Sequence, residues 1–97
     1  MPTYVTLFKW TEQGVKDIRN VPARFDAARK LVEAGGGKTL GIYVTMGDWD
    51  IVAITEGPSD EMAAAAALSI ASRGNSRTTT VRAFTEAEFA EILTKVV

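Results

Sequence analysis

The chain has 97 residues, a net charge of −1 from 11 basic and 12 acidic side chains, and neither Cys nor His. This length suits one domain, so we expect residues 1–97 to form a single domain that buries about 65% of its unfolded surface. Disulfides and a thiol nucleophile are excluded, and the commonest metal ligand and general base are both missing. We therefore expect neither a metal nor another cofactor.

The charged residues form no block of one sign. Such a balance argues against nucleic acid and an anionic membrane as partners. The first residues show no basic segment followed by an apolar run and a cleavage site, and no stretch approaches membrane-spanning length. We therefore expect a cytoplasmic protein.

The first predicted elements are a strand and a helix. Thr3 to Trp10 alternates two sets of side chains, so both faces of the strand carry apolar groups. One face holds Tyr4, Thr6, Phe8 and Trp10, and the other holds Val5, Leu7 and Lys9. Residues 11–20 are predicted to begin a helix, Pro22 suits a first helical turn, and an apolar stripe continues until Gly35-Gly36-Gly37 ends the helix. The stripe consists of Phe25, Ala28, Leu31 and Val32.

A β-hairpin is predicted in the middle of the chain. Residues 40–46 alternate apolar side chains, residues 51–55 are mostly β-branched, and Gly47-Asp48-Trp49-Asp50 lies between them. Gly-Asp between two such runs is typical of a hairpin turn. An aromatic residue between two carboxylates is more than a turn requires, so the hairpin is where we first look for function.

The second half of the chain predicts a helix, a strand and a final helix. Gly57-Pro58 starts the first of these helices, and its run of alanines over 63–67 lets it lie close to the sheet. Residues 76–84 form a Thr-rich strand. The final helix begins at Thr85, which forms a capping box with Glu88, while Phe84 and Phe89 form a hydrophobic staple. We expect this helix to dock on the domain.

The order of elements is β-α-β-β-α-β with an added C-terminal helix. It predicts an α+β, ferredoxin-like fold in which both main helices cover one face of a four-stranded antiparallel sheet. The other face keeps large apolar side chains, which is uncommon on a soluble monomer. We therefore predict a homodimer or higher homo-oligomer with the sheets packed face to face. The alternative is that the terminal helix covers that face within one chain.

The candidate site residues are polar or aromatic side chains near the hairpin and on the outer strands. Asp50 is the candidate acid or base; alternatively it stabilises the turn by accepting hydrogen bonds from backbone N–H groups. Ligand contacts are assigned to Lys9, Tyr43, Trp49, Arg77 and Arg82, in which the cations hold an anion. Pro2 is a separate candidate, because removal of Met1 leaves a secondary amine that some small tautomerases use as a general base.

Four separated segments resemble one protein family. They are Thr6-Leu7-Phe8-Lys9-Trp10-Thr11-Glu12-Gln13-Gly14, Met46-Gly47-Asp48-Trp49-Asp50, Gly74-Asn75-Ser76-Arg77-Thr78 and Arg82-Ala83-Phe84-Thr85. Their order and spacing resemble the GYD domain family over essentially the whole chain. The family takes its name from a Gly-Tyr-Asp-like signature, in which Trp49 here replaces the Tyr. The resemblance implies a dimeric α+β barrel, and it implies no established activity.

Three functions remain open from the sequence. The first is a homo-oligomeric binding or regulatory module that encloses a small apolar or anionic metabolite between sheet and helices. The second is a cofactor-independent enzyme, similar to monooxygenases or isomerases of the same fold, with Asp50 as base and Arg82 or Lys9 stabilising negative charge. The third is a tautomerase that acts through Pro2.

Overall fold

The centre of the molecule is a four-stranded antiparallel sheet, described by a computed structural model of all 97 residues. The strands are β1 (Thr3–Trp10), β2 (Lys38–Val44), β3 (Ile51–Glu56) and β4 (Ser76–Ala83). Their spatial order is β2-β3-β1-β4, so β1 and β3 lie in the middle and β2 and β4 form the edges. This order confirms the predicted ferredoxin-like arrangement.

Four α-helices accompany the sheet. They are α1 (Glu12–Lys16), α2 (Val21–Ala34), α3 (Asp60–Ala71) and α4 (Glu86–Leu93), with a short 3-10 helix at Ile18–Asn20 between α1 and α2. None of them is long and apolar enough to cross a membrane. The sequence predicted one helix over the region that α1, the 3-10 helix and α2 occupy. The break has a local cause: Pro22 suits the first turn of a new helix, because it has no N–H group to donate.

The two faces of the sheet differ in what covers them. Helices α2 and α3 pack on one face, where Phe8, Ile51 and Ala53 form the buried core. The opposite face carries the alternate residues of each strand, and we call it the open face. Its apolar members oppose one another across neighbouring strands, and they are Val5, Leu7, Tyr43, Val52, Ile54 and Val81. The predicted two-sided apolar character of β1 is thus confirmed.

Helix α4 starts as predicted but does not dock. Thr85 and Glu88 form a complete capping box, which confirms the predicted start. However, no other element of the chain packs extensively against α4. Phe89 and Leu93, on its apolar stripe, are 54% and 52% exposed. The expected docking within one chain is therefore wrong: α4 follows the edge strand β4 without packing extensively on the sheet or the other helices.

Candidate functional site between the sheet and the helices

A cavity of about 330 Å³ lies between the covered face of the sheet and helices α2 and α3. From β1 it is lined by Tyr4, Thr6, Phe8 and Trp10, the four residues that the strand alternation places on one face. Helix α2 contributes Phe25, Ala28 and Leu31. Most of the wall is apolar.

The alanine-rich helix α3 explains why the cavity is not filled. Ala63, Ala66, Ala67 and Ile70 follow an i, i+3, i+4, i+7 pattern and all line the cavity. Their short side chains let α3 pack against β4, as predicted. The same short side chains do not reach across to α2, so the space between the two helices stays open.

One end of the cavity holds a cation with an unpartnered nitrogen. Arg24 of α2 lines the cavity, and its Nη2 donates to the carbonyl oxygen of Gly14 at 3.2 Å. Its Nη1 is buried and has no hydrogen-bond partner. Ser76, the first residue of β4, is buried and lines the cavity too. Buried polar groups are normally hydrogen-bonded, so the free donor of Arg24 stands out chemically.

Two other pairs of polar groups in the wall are already hydrogen-bonded. The buried Tyr4 hydroxyl donates to Oδ1 of Asp60 at 2.6 Å, at the start of α3. The hydroxyl oxygens of Thr6 and Thr80 lie 3.1 Å apart and form a hydrogen bond across β1 and β4. These groups therefore need no ligand atom to satisfy them.

Three of the predicted ligand residues lie on or beside the open face. Strand alternation places Lys9 and Arg77 opposite each other there, and Tyr43 lies opposite Val52. The ammonium group of Lys9 lies 5.7 Å from the centre of the Trp49 ring. Trp49, the fourth of the predicted residues, therefore lies near the same end of the face. None of these four residues lines the cavity.

Arg82 connects β4 to α4. Its Nη2 lies 3.2 Å from Oε2 of Glu88, and its Nη1 donates to the carbonyl oxygen of Thr3 at 3.3 Å. The guanidinium also lies over the Phe84 ring, 4.5 Å from its centre. Hydrogen bonds from the Thr85 backbone N–H and from Arg82 lower the pKa of Glu88 below its ordinary value. Arg82 is thus engaged within the protein.

Asp50 is bound to the backbone of the first strand. Its Oδ2 accepts from the Trp10 N–H at 2.8 Å, and its own N–H donates to the carbonyl oxygen of Phe8 at 2.9 Å. These bonds tie the hairpin to the end of β1. Asp50 and Arg82 do not line the cavity either, so none of the six predicted residues lies in its wall. Catalysis by Asp50 stays a prediction, as does catalysis by Pro2, which also lies outside the cavity wall.

Arg24 is the cavity residue that the sequence reasoning missed. The apolar stripe of α2 runs through 21, 25, 28, 31 and 32, and position 24 falls within it. An arginine inside an apolar stripe could have indicated this residue from the sequence, because arginine is rarely buried without a partner. The six residues predicted from the sequence lie on the hairpin and the strands, and none of them lines the cavity.

The Tyr4–Asp60 pair predicts a measurable titration. The hydrogen bond to Asp60, followed by burial, raises the pKa of Tyr4 above its ordinary value of 10.0. Tyr4 therefore contributes stability below pH 10, and this contribution is lost as pH rises through the higher folded-state pKa. We expect Asp60→Asn to lower the Tyr4 pKa in a spectrophotometric titration, with Tyr43→Phe as background so that only one phenol titrates.

Glu61→Gln is the matched control for this titration. Glu61 is the next residue of the same helical turn, and its charge has the smallest of the effects that raise the Tyr4 pKa. The shift in Glu61→Gln should be smaller than that in Asp60→Asn. Equal shifts would mean that general acidity near α3, and not the hydrogen bond, sets the Tyr4 pKa.

Comparison with known proteins agrees with this architecture. A protein of Thermus thermophilus, named glutamine synthetase and cystathionine beta-lyase binding protein, is 29% identical over 89 residues, which is 91% of this chain and 94% of that protein. The crystal structure of TTHA0845 from the same organism matches with a TM-score of 0.56 and 21% identity, covering 88% of this chain and 95% of that one. This second match supports the fold. The family model described as GYD domain matches residues 4–93. The chain therefore belongs to the GYD domain family.

Proposed function

We propose that this GYD-domain protein is a small homo-oligomeric regulatory module that binds a small molecule between sheet and helices and acts through contacts with other proteins. The observation that carries the small-molecule part is the cavity of about 330 Å³. Ligand sites in proteins are typically concave, largely apolar and of about 300–1,000 Å³, with a few polar groups. The cavity has the size and the lining of such a site.

The protein-contact part is supported by the Thermus relative. Its name says that it binds glutamine synthetase and cystathionine beta-lyase, and this chain spans nearly its whole length. We propose that this chain likewise binds metabolic enzymes. Binding of each of the two named enzymes from the source organism to the immobilised chain, measured by surface plasmon resonance, tests this part.

The self-association part is supported by the open face and by α4. Directly opposed pairs such as Val5–Ile54 and Leu7–Val52 form a continuous apolar patch in the middle of the sheet. Charged residues lie at both ends of this face, Lys9 and Arg77 at one end and the directly opposed Lys38 and Glu56 at the other. An apolar patch of this kind is uncommon on a soluble monomer, which favours a second copy of this chain, packed face to face, as the occupant.

The cavity is tested with Nile red, a neutral dye whose fluorescence rises in apolar sites. We expect the wild-type protein to bind it and Ala67→Phe to lose most of this binding, because residue 67 lines the cavity and a benzyl side chain would fill it. The matched control is Ala64→Phe. Residue 64 is exposed and does not line the cavity, so the same substitution on the same helix should leave dye binding unchanged.

Melting curves of both variants show whether the fold is retained. If folded Ala67→Phe binds the dye as well as wild type does, the dye lies elsewhere and the cavity is not the binding site. If both variants lose dye binding equally, the effect follows from disturbing α3 and not from filling the cavity.

A further inference from the structure

We propose that the ligand of the cavity is an amphiphilic monoanion, a medium-chain carboxylate whose head group binds Arg24. This inference rests on the proposed function, because it assumes that the cavity holds a small molecule. It adds the chemical class of that molecule and the residue that recognises it.

The position of the charge follows from Arg24. Its guanidinium is fixed by one hydrogen bond, from Nη2 to the Gly14 carbonyl oxygen at 3.2 Å, while the buried Nη1 has no partner. A guanidinium is always charged and presents its N–H groups in a planar fork that matches a carboxylate. A carboxylate in the cavity would accept from Nη1, with the buried Ser76 lining the same cavity.

The single negative charge follows from the rest of the wall. The other charged lining residues are Glu56, whose carboxylate would repel a second anionic group, and Arg73, which is exposed. Tyr4 is hydrogen-bonded to Asp60, and Thr6 is hydrogen-bonded to Thr80, so these polar groups already have partners within the protein. The side chains between them are aromatic, aliphatic or alanine; those nearest the core are Phe8, Phe25, Ile42, Ile51 and Ile70. A second charged group placed among them would be desolvated without compensation. The body of the ligand is therefore apolar.

The length of the ligand follows from the volume. A cavity of 330 Å³ equals the liquid volume of about eleven water molecules. A chain of about eight to ten carbon atoms has a similar volume. A longer acyl chain, or a larger molecule such as Nile red, would extend out of the cavity, which is partly open.

The test compares octanoate with 1-octanol, two probes with the same chain and different head groups. Trp10 lines the cavity and Trp49 does not, so fluorescence of a Trp49→Phe protein reports on the cavity alone. We expect octanoate to bind roughly tenfold to a hundredfold more tightly than 1-octanol, the range expected for a charge-assisted hydrogen bond. In Arg24→Met, which keeps an apolar stem, we expect this preference to disappear while octanol affinity stays unchanged.

Arg29→Met is the matched control. Arg29 lies on the same helix, is paired with Asp26 at 3.1 Å and does not line the cavity. It should keep the full preference for octanoate. The comparison of the two probes in the unsubstituted protein needs no folded variant, so a failure of Arg24→Met to fold leaves the inference testable.

Each other outcome overturns the inference. Equal affinities for octanoate and octanol, both of which displace Nile red, would leave the cavity as a binding site and remove the role of Arg24. An octanoate preference that survives in Arg24→Met would place the anion elsewhere. If neither probe changes Trp10 fluorescence while Nile red still binds in the cavity, the ligand is not a medium-chain amphiphile. Loss of Nile red binding to the cavity would instead count against the proposed function itself.

Discussion

Phe8→Ala should lower the free energy of unfolding by about 3–5 kcal/mol, the usual cost of deleting a buried aromatic side chain. Phe8 is 7% exposed and forms the core cluster with Ile51 and Ala53. It lies on the central strand β1 and faces the helices, so both neighbouring strands lose packing when the ring is removed. Urea unfolding at fixed protein concentration measures the loss.

The side chain of Phe8 lies in the core and not on the open face. Phe8→Ala should therefore destabilise each protomer while association of the protein that remains folded is unchanged. Leu7→Ala is the matched control, because Leu7 is the adjacent residue and points to the open face. A larger loss of stability in Leu7→Ala than in Phe8→Ala, measured on the monomer, would contradict the assignment of the two faces.

The fold was predictable because its local signals agree with one another. The alternation of β1, the Gly-Asp turn and the capping box at Thr85 each have one good structural solution, and the structure adopts all three. Helix α4 was only half predictable. Its start depends on hydrogen bonds within four residues, whereas its packing depends on a partner surface that no local pattern specifies. An apolar stripe indicates that the helix packs against another surface, but it does not indicate whether that surface belongs to the same chain or to another one.

The candidate site was harder to predict, for a physical reason. Charged side chains attract attention in a sequence, but Asp50 accepts a hydrogen bond from the Trp10 N–H and Arg82 pairs with Glu88. The cavity arises because the alanine side chains of α3 are short and because α2 and α3 lie apart. Neither property has a sequence pattern of its own. Arg24 gains significance only when its surroundings are known to be apolar and its Nη1 to be unpartnered.

The open face raises the remaining structural question, namely what covers it. Its apolar centre continues along β4 through Val81, which is 46% exposed, to Phe84 and then to the apolar stripe of α4. Within one chain α4 does not turn back over the face. In a face-to-face dimer both apolar surfaces are buried by the same partner, since α4 leaves from the edge of the interface. This arrangement accounts for the exposed residues of both surfaces with a single occupant.

Leu7→Lys should therefore dissociate the protein. Leu7 lies at the centre of the open face, between Val52 and Thr79. In a two-fold dimer each substitution enters the interface twice, so two buried ammonium groups would face apolar side chains without partners. We expect the dissociation constant to rise on the order of a hundredfold or more, as for the loss of an interface hot spot. Sedimentation equilibrium over a range of protein concentrations measures it.

Leu68→Lys separates this effect from a general effect of added charge. Leu68 is 70% exposed on α3, away from the open face, so the same substitution there should leave the dissociation constant unchanged. A wild-type protein that sediments as a monomer at micromolar concentration would overturn the proposed dimer outright. A dimer that resists Leu7→Lys would require a different interface, and the apolar stripe of α4 would be the next surface to charge, through Phe89→Lys. Because α4 does not pack on its own domain, that second substitution would weaken association without unfolding the protomer.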